Sequence, residues 1–220
     1  MPALSSLTDE VTLQITSQSF THGQPIPSEF AFAEPDPETH FRFAGNRNPA
    51  LAWDGVPEGC RSFALLCVDP DAPTVPDDVN KEGRSVPHDL PRGDFVHWVL
   101  VDLPADLREI AAGSCSDGVT PKGKQAPAGP SGSRQGVNDY TGWFAGDADL
   151  GGTYHGYDGP APPWNDERVH RYQFRLYALD VERLELAEGF GRGDVEAAME
   201  GHVLASAEIE GTYTQNPSLR

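Results

Sequence analysis

Ser62–Asp69 reads SFALLCVD and runs directly into Pro70-Asp71-Ala72-Pro73. An apolar run of strand length, closed by an acid and a proline, is the pattern of a strand covered on both faces. Phe95–Leu103 (FVHWVLVDL) repeats it. Weaker strand signals lie around these two runs. Val11, Leu13 and Ile15 alternate with polar neighbours, His170–Leu179 (HRYQFRLYAL) alternates and is rich in aromatics, and Ser206–Tyr213 reads as a last strand. Helix is scarce: Asp194 is placed to cap Val195–Gly201, and Leu103–Ala111 has room for one short turn. With 23 glycines and 20 prolines in 220 residues, turn-formers are too abundant for a helical bundle. The expectation is a mainly β chain with a few small peripheral helices, forming a single domain over residues 1–220. Long loops are expected near 115–136 and 143–164.

The formal net charge is −18. A charge of that sign excludes a diffuse basic footprint for nucleic acid or an anionic bilayer. An anion site on such a chain has to be built locally, from imidazole, hydroxyl and backbone N–H groups. Cys60, Cys67 and Cys115 form no CxxC pair, which argues against a disulfide framework or a structural zinc site. Cys67 reads as a buried small hydrophobe. Residues 1–10 carry neither a basic stretch nor an apolar leader, and no apolar run approaches the length of a bilayer span, so a cytoplasmic location is expected.

Chemistry-bearing residues gather at the strand ends. Asp69-Pro70-Asp71-Ala72-Pro73 holds two carboxylates between two prolines that stiffen the chain, with Ala72–Pro73 a candidate cis bond. His97 sits inside an apolar strand, where alternation places it on one face with Phe95 and Val99, opposite Val96, Trp98 and Leu100. In His170-Arg171-Tyr172, imidazole and phenol share a face. Asp69, His97, His170 and Tyr172 together allow three readings: a metal triad, an acid/base or nucleophilic device, or a small anion site. Spacing alone leaves all three open, although HExxH and GxSxG signatures are absent.

The chain resembles the phosphatidylethanolamine-binding protein (PEBP) family, which includes Raf kinase inhibitor proteins and bacterial relatives. The resemblance rests on Asn48–Trp53 (NPALAW), Ser62–Leu65 leading into Asp69–Pro73 (DPDAP), His97-Trp98-Val99, Asn138-Asp139-Tyr140, Gly159–Pro163 (GPAPP), His170-Arg171-Tyr172 and Met199–Leu204. It implies a two-sheet β-fold, with a large antiparallel sheet packed on a smaller one and a phosphate-binding pocket at one end. The implied ligand-binding residues are Asp69, His97, Gly159, Pro162, Pro163, His170 and Tyr172, with Asp71 and Pro73 bracing the DPDAP segment. Bacterial relatives pass almost directly from NDY to GPxPP, whereas Trp143–Tyr157 intervenes here, and Ala161 stands where cysteine is common.

The function expected is therefore a non-enzymatic binding or regulatory protein without cofactor or metal. It would recognise a phosphate-like anion, a phosphorylated small molecule, a phospholipid headgroup or a phosphopeptide, and modulate a kinase or other signalling partner. A protonated imidazole and the Tyr172 hydroxyl would donate to the anion while Asp69 orients a histidine. Two alternatives stand beside it: a hydrolase using Asp69, His97 and His170, or a protein-interaction module with a vestigial pocket. The second draws on Lys122, Lys124 and Arg134 in the first long loop. Neither nucleic acid nor stable membrane insertion is expected, and monomer and homodimer are both open.

Overall fold

The computed structural model describes residues 12–220. Val11 of the expected first strand, and residues 1–10 read as lacking a leader, lie outside them. The described chain is mainly β. Strands β5 (Ser62–Pro73), β6 (Arg92–Pro104), β8 (Arg134–Gln135), β9 (His170–Leu179) and β10 (Val203–Tyr213) form one sheet in the order β10-β9-β5-β6-β8. Every pairing in it is antiparallel. A smaller sheet orders β1 (Gln14–Thr16), β4 (Leu51–Asp54) and β7 (Glu109–Ile110), and β2 (Ala33–Asp36) with β3 (His40–Phe43) makes a hairpin.

The two apolar runs become the central strands β5 and β6, and both of their faces are covered. Phe63, Leu65, Cys67, Trp98, Leu100 and Leu103 point toward the smaller sheet and meet Ile15, Leu51, Trp53 and Ile110. Ala64, Leu66, Val68, Val99 and Val101 point the other way, onto Leu184, Phe190, Val195 and Met199. Each large side chain buried in this way contributes about 1.5–3 kcal/mol, so the continuous hydrophobicity of β5 and β6 is what holds the layers together.

Local expectations needed correction at three places. Helix α2 spans Arg192–Met199, so Asp194 is its third residue rather than its cap, and its carboxylate accepts from the Gly191 N–H at 2.9 Å. The segment Leu103–Ala111 holds no helical turn; Ile110 instead pairs with Leu51 and is buried in the core. No cis peptide bond occurs among the described residues. Ala72 and Pro73 stay extended and paired with Gly93 and Arg92, so the chain does not turn where the cis bond was expected.

Candidate functional site

The site is built where the β5–β6 ladder loses and regains its step. Cys67 pairs with Trp98 but Val68 pairs with Val96, which leaves His97 as an extra residue on β6. Asp69 pairs with Phe95 and Ala72 with Gly93, which leaves an extra residue on β5 at Pro70-Asp71. Bulges re-aim side chains and twist the strand. As a result strict alternation fails at His97. Val99 packs on the helix-covered face with Val96, while the imidazole lies beside Tyr172, ring centroids 5.1 Å apart, on the opposite side of the sheet.

Asp69, Pro73, His97, Pro162, Pro163, His170 and Tyr172 line one cavity of about 100 Å³. Phe95, Tyr140, Trp143 and Asn80 complete its wall. Sequence reasoning had not included these four. Tyr140 and Trp143 belong to α1 (Tyr140–Trp143), and Trp143 opens the inserted segment, so the insertion forms part of the rim. Gly159 does not line the cavity. It lies against the backbone carbonyl of Phe30, its N–H donates to Asn46, and its carbonyl accepts from the Tyr140 hydroxyl at 2.7 Å. Asp71 also points away: its carboxylate accepts from Arg171 and Arg168, which binds β5 to β9.

His170 is fully engaged. Its Nδ1 lies 2.7 Å from Asp69 and its Nε2 3.0 Å from Asp166. Burial opposes its charge, but the two carboxylates outweigh burial and push its pKa up to about 9. The ring is therefore an imidazolium at neutral pH, yet it has no N–H left for a ligand; the donor role expected of it is filled by acids. Asp166 is held in turn by Arg92, at 2.6 and 2.9 Å, in a forked pair whose side chains are almost fully buried. Burial raises the Asp166 pKa, and the bonds from His170 and Arg92 outweigh it and hold the carboxyl below its usual range. Asp166 precedes His170 by four residues and Arg92 precedes β6's apolar run. Neither was singled out in the sequence.

Behind the cavity, then, three buried carboxylates (Asp69, Asp71, Asp166) meet four cations (Arg92, Arg168, His170, Arg171). With Asp139, Asp158 and Lys124 beside His97, five carboxylates and five cations surround the cavity.

His97 is anchored differently. Its Nδ1 lies 2.8 Å from the Asp158 carbonyl, and its own carbonyl accepts from the Asp158 N–H. Burial pushes its pKa below the ordinary histidine value, against the pull of Asp69, Asp158 and Asp139. The Asp158 carboxylate is buried and held by Asn46, Asn138 and Lys124 at 2.7–2.9 Å. Tyr172, fully buried, has a hydroxyl with no hydrogen-bond partner. Burial pushes its pKa well above the ordinary phenol value, so it keeps its proton.

The other two chemical readings find less support in this geometry. No group of three His, Cys, Asp or Glu among the described residues is arranged to hold a metal ion. No serine, threonine or cysteine lines the cavity, and neither ring nitrogen of His170 is available as a base, which leaves Nε2 of His97 as the free imidazole nitrogen on the wall. In the first long loop, Lys124 is engaged with Asp158 and Arg134 with Asp102 at 2.6 Å, so two of its three cations serve the interior.

Comparison with known proteins places this geometry among relatives. The UPF0098 protein of Aquifex aeolicus is 33% identical over 206 residues, covering 93% of this chain and 90% of the relative. The UPF0098 protein YbhB of Escherichia coli is 36% identical over 169 residues, covering 77% and 82%. The crystal structure of E. coli YbcL, described as a new member of the mammalian PEBP family, superposes with a TM-score of 0.65 at 28% identity over 92% of this chain and 98% of that one. The family model described as phosphatidylethanolamine-binding protein matches residues 16–214, and the chain belongs to that family.

Proposed function

We propose that this protein is a binding protein whose small cavity recognises the phosphate group of a phosphorylated ligand. The observation that carries the reading is the Tyr172 hydroxyl: fully buried, protonated, without a partner, and on the wall of the cavity. An unsatisfied buried hydroxyl costs about 1–3 kcal/mol, and an oxygen-rich ligand removes that cost. The cations Arg92, Arg168 and His170 offset the acids behind the cavity, so an anion there does not meet an uncompensated carboxylate cluster. The cavity of about 100 Å³ has room for a phosphate group, and the rest of a ligand would lie across Trp143 and the Pro162–Pro163 rim. The family description and the relatives' names agree with a binding role.

The test is calorimetric titration of monomethyl phosphate into the protein and its Tyr172→Phe variant. Binding at least about tenfold weaker in the variant is expected from one lost hydrogen bond to a charged group. An unchanged dissociation constant would remove Tyr172 from the site and the reading with it.

A further inference from the structure

The polar lining of the pocket sets acceptors beside donors. Asp69 presents a carboxylate. His97 presents Nε2. Its Nδ1 faces a carbonyl, which only accepts, so Nδ1 carries the hydrogen and the neutral ring holds its lone pair on Nε2. Two side-chain donors stand beside them. The Tyr172 hydroxyl is unpartnered, and the amide nitrogen of Asn80 remains after its oxygen accepts from the Trp164 N–H at 3.0 Å. Pro162 and Pro163 have no N–H to offer, His170 has none left, and no lysine or arginine lines the wall.

A phosphate dianion in this pocket would set oxygen lone pairs against the lone pair of His97. A phosphate that keeps one P–OH has the missing donor. We propose that the pocket takes a phosphate monoester together with its acidic proton, the P–OH donating to His97 Nε2 while the remaining oxygens accept from Tyr172 and Asn80. The inference rests on the anion-binding reading above and narrows it to monoesters. A phosphodiester, such as a phospholipid headgroup, and a sulfate both lack the acidic proton.

The alternative, protonating His97 to receive a dianion, is opposed by its surroundings. The ring faces Asp69 from β5, Tyr172 from β9, Asp139 and Tyr140 at the head of α1, and Asp158 from the following loop. The acids among them favour imidazolium, but the burial that these groups together create outweighs that pull. The proton is therefore better placed on the ligand. At pH above the second phosphate pKa of about 6, the ester in solution is a dianion, so the proton comes from solvent and one is taken up per ligand bound.

The experiment is calorimetric titration of the full chain with monomethyl phosphate, dimethyl phosphate and sulfate, each in two buffers of different ionisation enthalpy. At about pH 8 the monoester is a dianion. Monomethyl phosphate is expected to take up about one proton there; at about pH 5, where protonating the ester costs nothing, it is expected to bind at least about tenfold more tightly than the other two, the worth of a charge-assisted hydrogen bond. At about pH 5, where the monoester already carries its proton, the uptake vanishes. If dimethyl phosphate or sulfate binds within about threefold of the monoester at about pH 5, or if no proton is taken up at about pH 8, proton selection is overturned while anion binding stands. If no anion saturates the protein at either pH, both readings fall.

Discussion

Nε2 of His170 lies 3.0 Å from Oδ2 of Asp166, and that one contact changes the role of the histidine. With Asp69 on its other nitrogen, the ring is a charged strut between two acids rather than a ligand donor. Replacing it by alanine strands two buried carboxylates. His170→Ala is expected to lower stability by about 3–5 kcal/mol, the range for breaking a buried pair, read as a shift of the urea midpoint. A midpoint unchanged from wild type would show that the acids are solvated and the strut unnecessary.

The same contact sets a pH dependence. The folded pKa of about 9 lies above the ordinary histidine value of 6.5. The stabilisation is therefore complete below about pH 6.5 and is lost as pH rises through about 9, with a total on the order of 3 kcal/mol. Thermal denaturation between these limits is expected to show a falling Tm in the wild type and a flatter profile in His170→Ala. Equal slopes would assign the alkaline loss to another group.

Tyr172→Phe separates stability from binding. The hydroxyl has no partner in the protein, so its removal is expected to leave Tm unchanged or slightly raised, within about 1 kcal/mol. A substantial loss of stability would mean that the hydroxyl is bonded within the folded chain.

Gly159 has a steric role. A Cβ there would stand 2.1 Å from the Phe30 carbonyl oxygen and 3.0 Å from the Ala31 Cα, both backbone. Gly159→Ala is expected to cost about 3 kcal/mol or more, since neither segment can yield without disturbing the core. A soluble variant with wild-type Tm would show that the 159–163 segment moves freely.

Lys124 tests whether the first long loop works for the interior. Lys124→Met removes the cation from Asp158 and is expected to destabilise by about 3–5 kcal/mol, with Asp158→Asn in the same chain recovering part of that loss. Equal stability of Lys124→Met and wild type would return this lysine to the surface and to possible protein partners.

The central layers of the fold were legible because the runs 63–68 of β5 and 95–101 of β6 are apolar at nearly every position, the composition of a short strand covered on both faces. His170–Leu179 matched β9 to the residue because its aromatic alternation begins and ends with the strand. The first turn of α2 was missed because Asp194 satisfies the Gly191 N–H from inside the helix. Leu103–Ala111 was misread because Ile110 gains more from the core than its segment gains from a helical turn.

Of the site, Asp69, His97, His170 and Tyr172 were visible as residue types at strand ends, and the proline pair followed from the resemblance. The facing of His97 was not visible, since a bulge depends on the partner strand and leaves no period of its own. Asp166 lies in a connecting segment and Arg92 at the first residue of β6, and their value comes from being folded together behind His170. Asn80 and Trp143 were hidden in the same way, one in a turn and the other at the mouth of an insertion.

The two bulges that make the site have opposite sign. Cys67 faces Trp98 on one side of it and Ala72 faces Gly93 on the other, and the ladder has the same alignment at both ends. They act as a pair of dislocations that cancel across the pocket, and a separate shift between Phe63 and Leu65 lies further along the ladder. Length is therefore constrained jointly: removing one residue from either strand leaves an uncancelled slip that would turn the remainder of the strand inside out. Side-chain chemistry is free of that constraint. The paired offset in chain length shapes the cavity as much as the acid at 69 and the imidazole at 97 do.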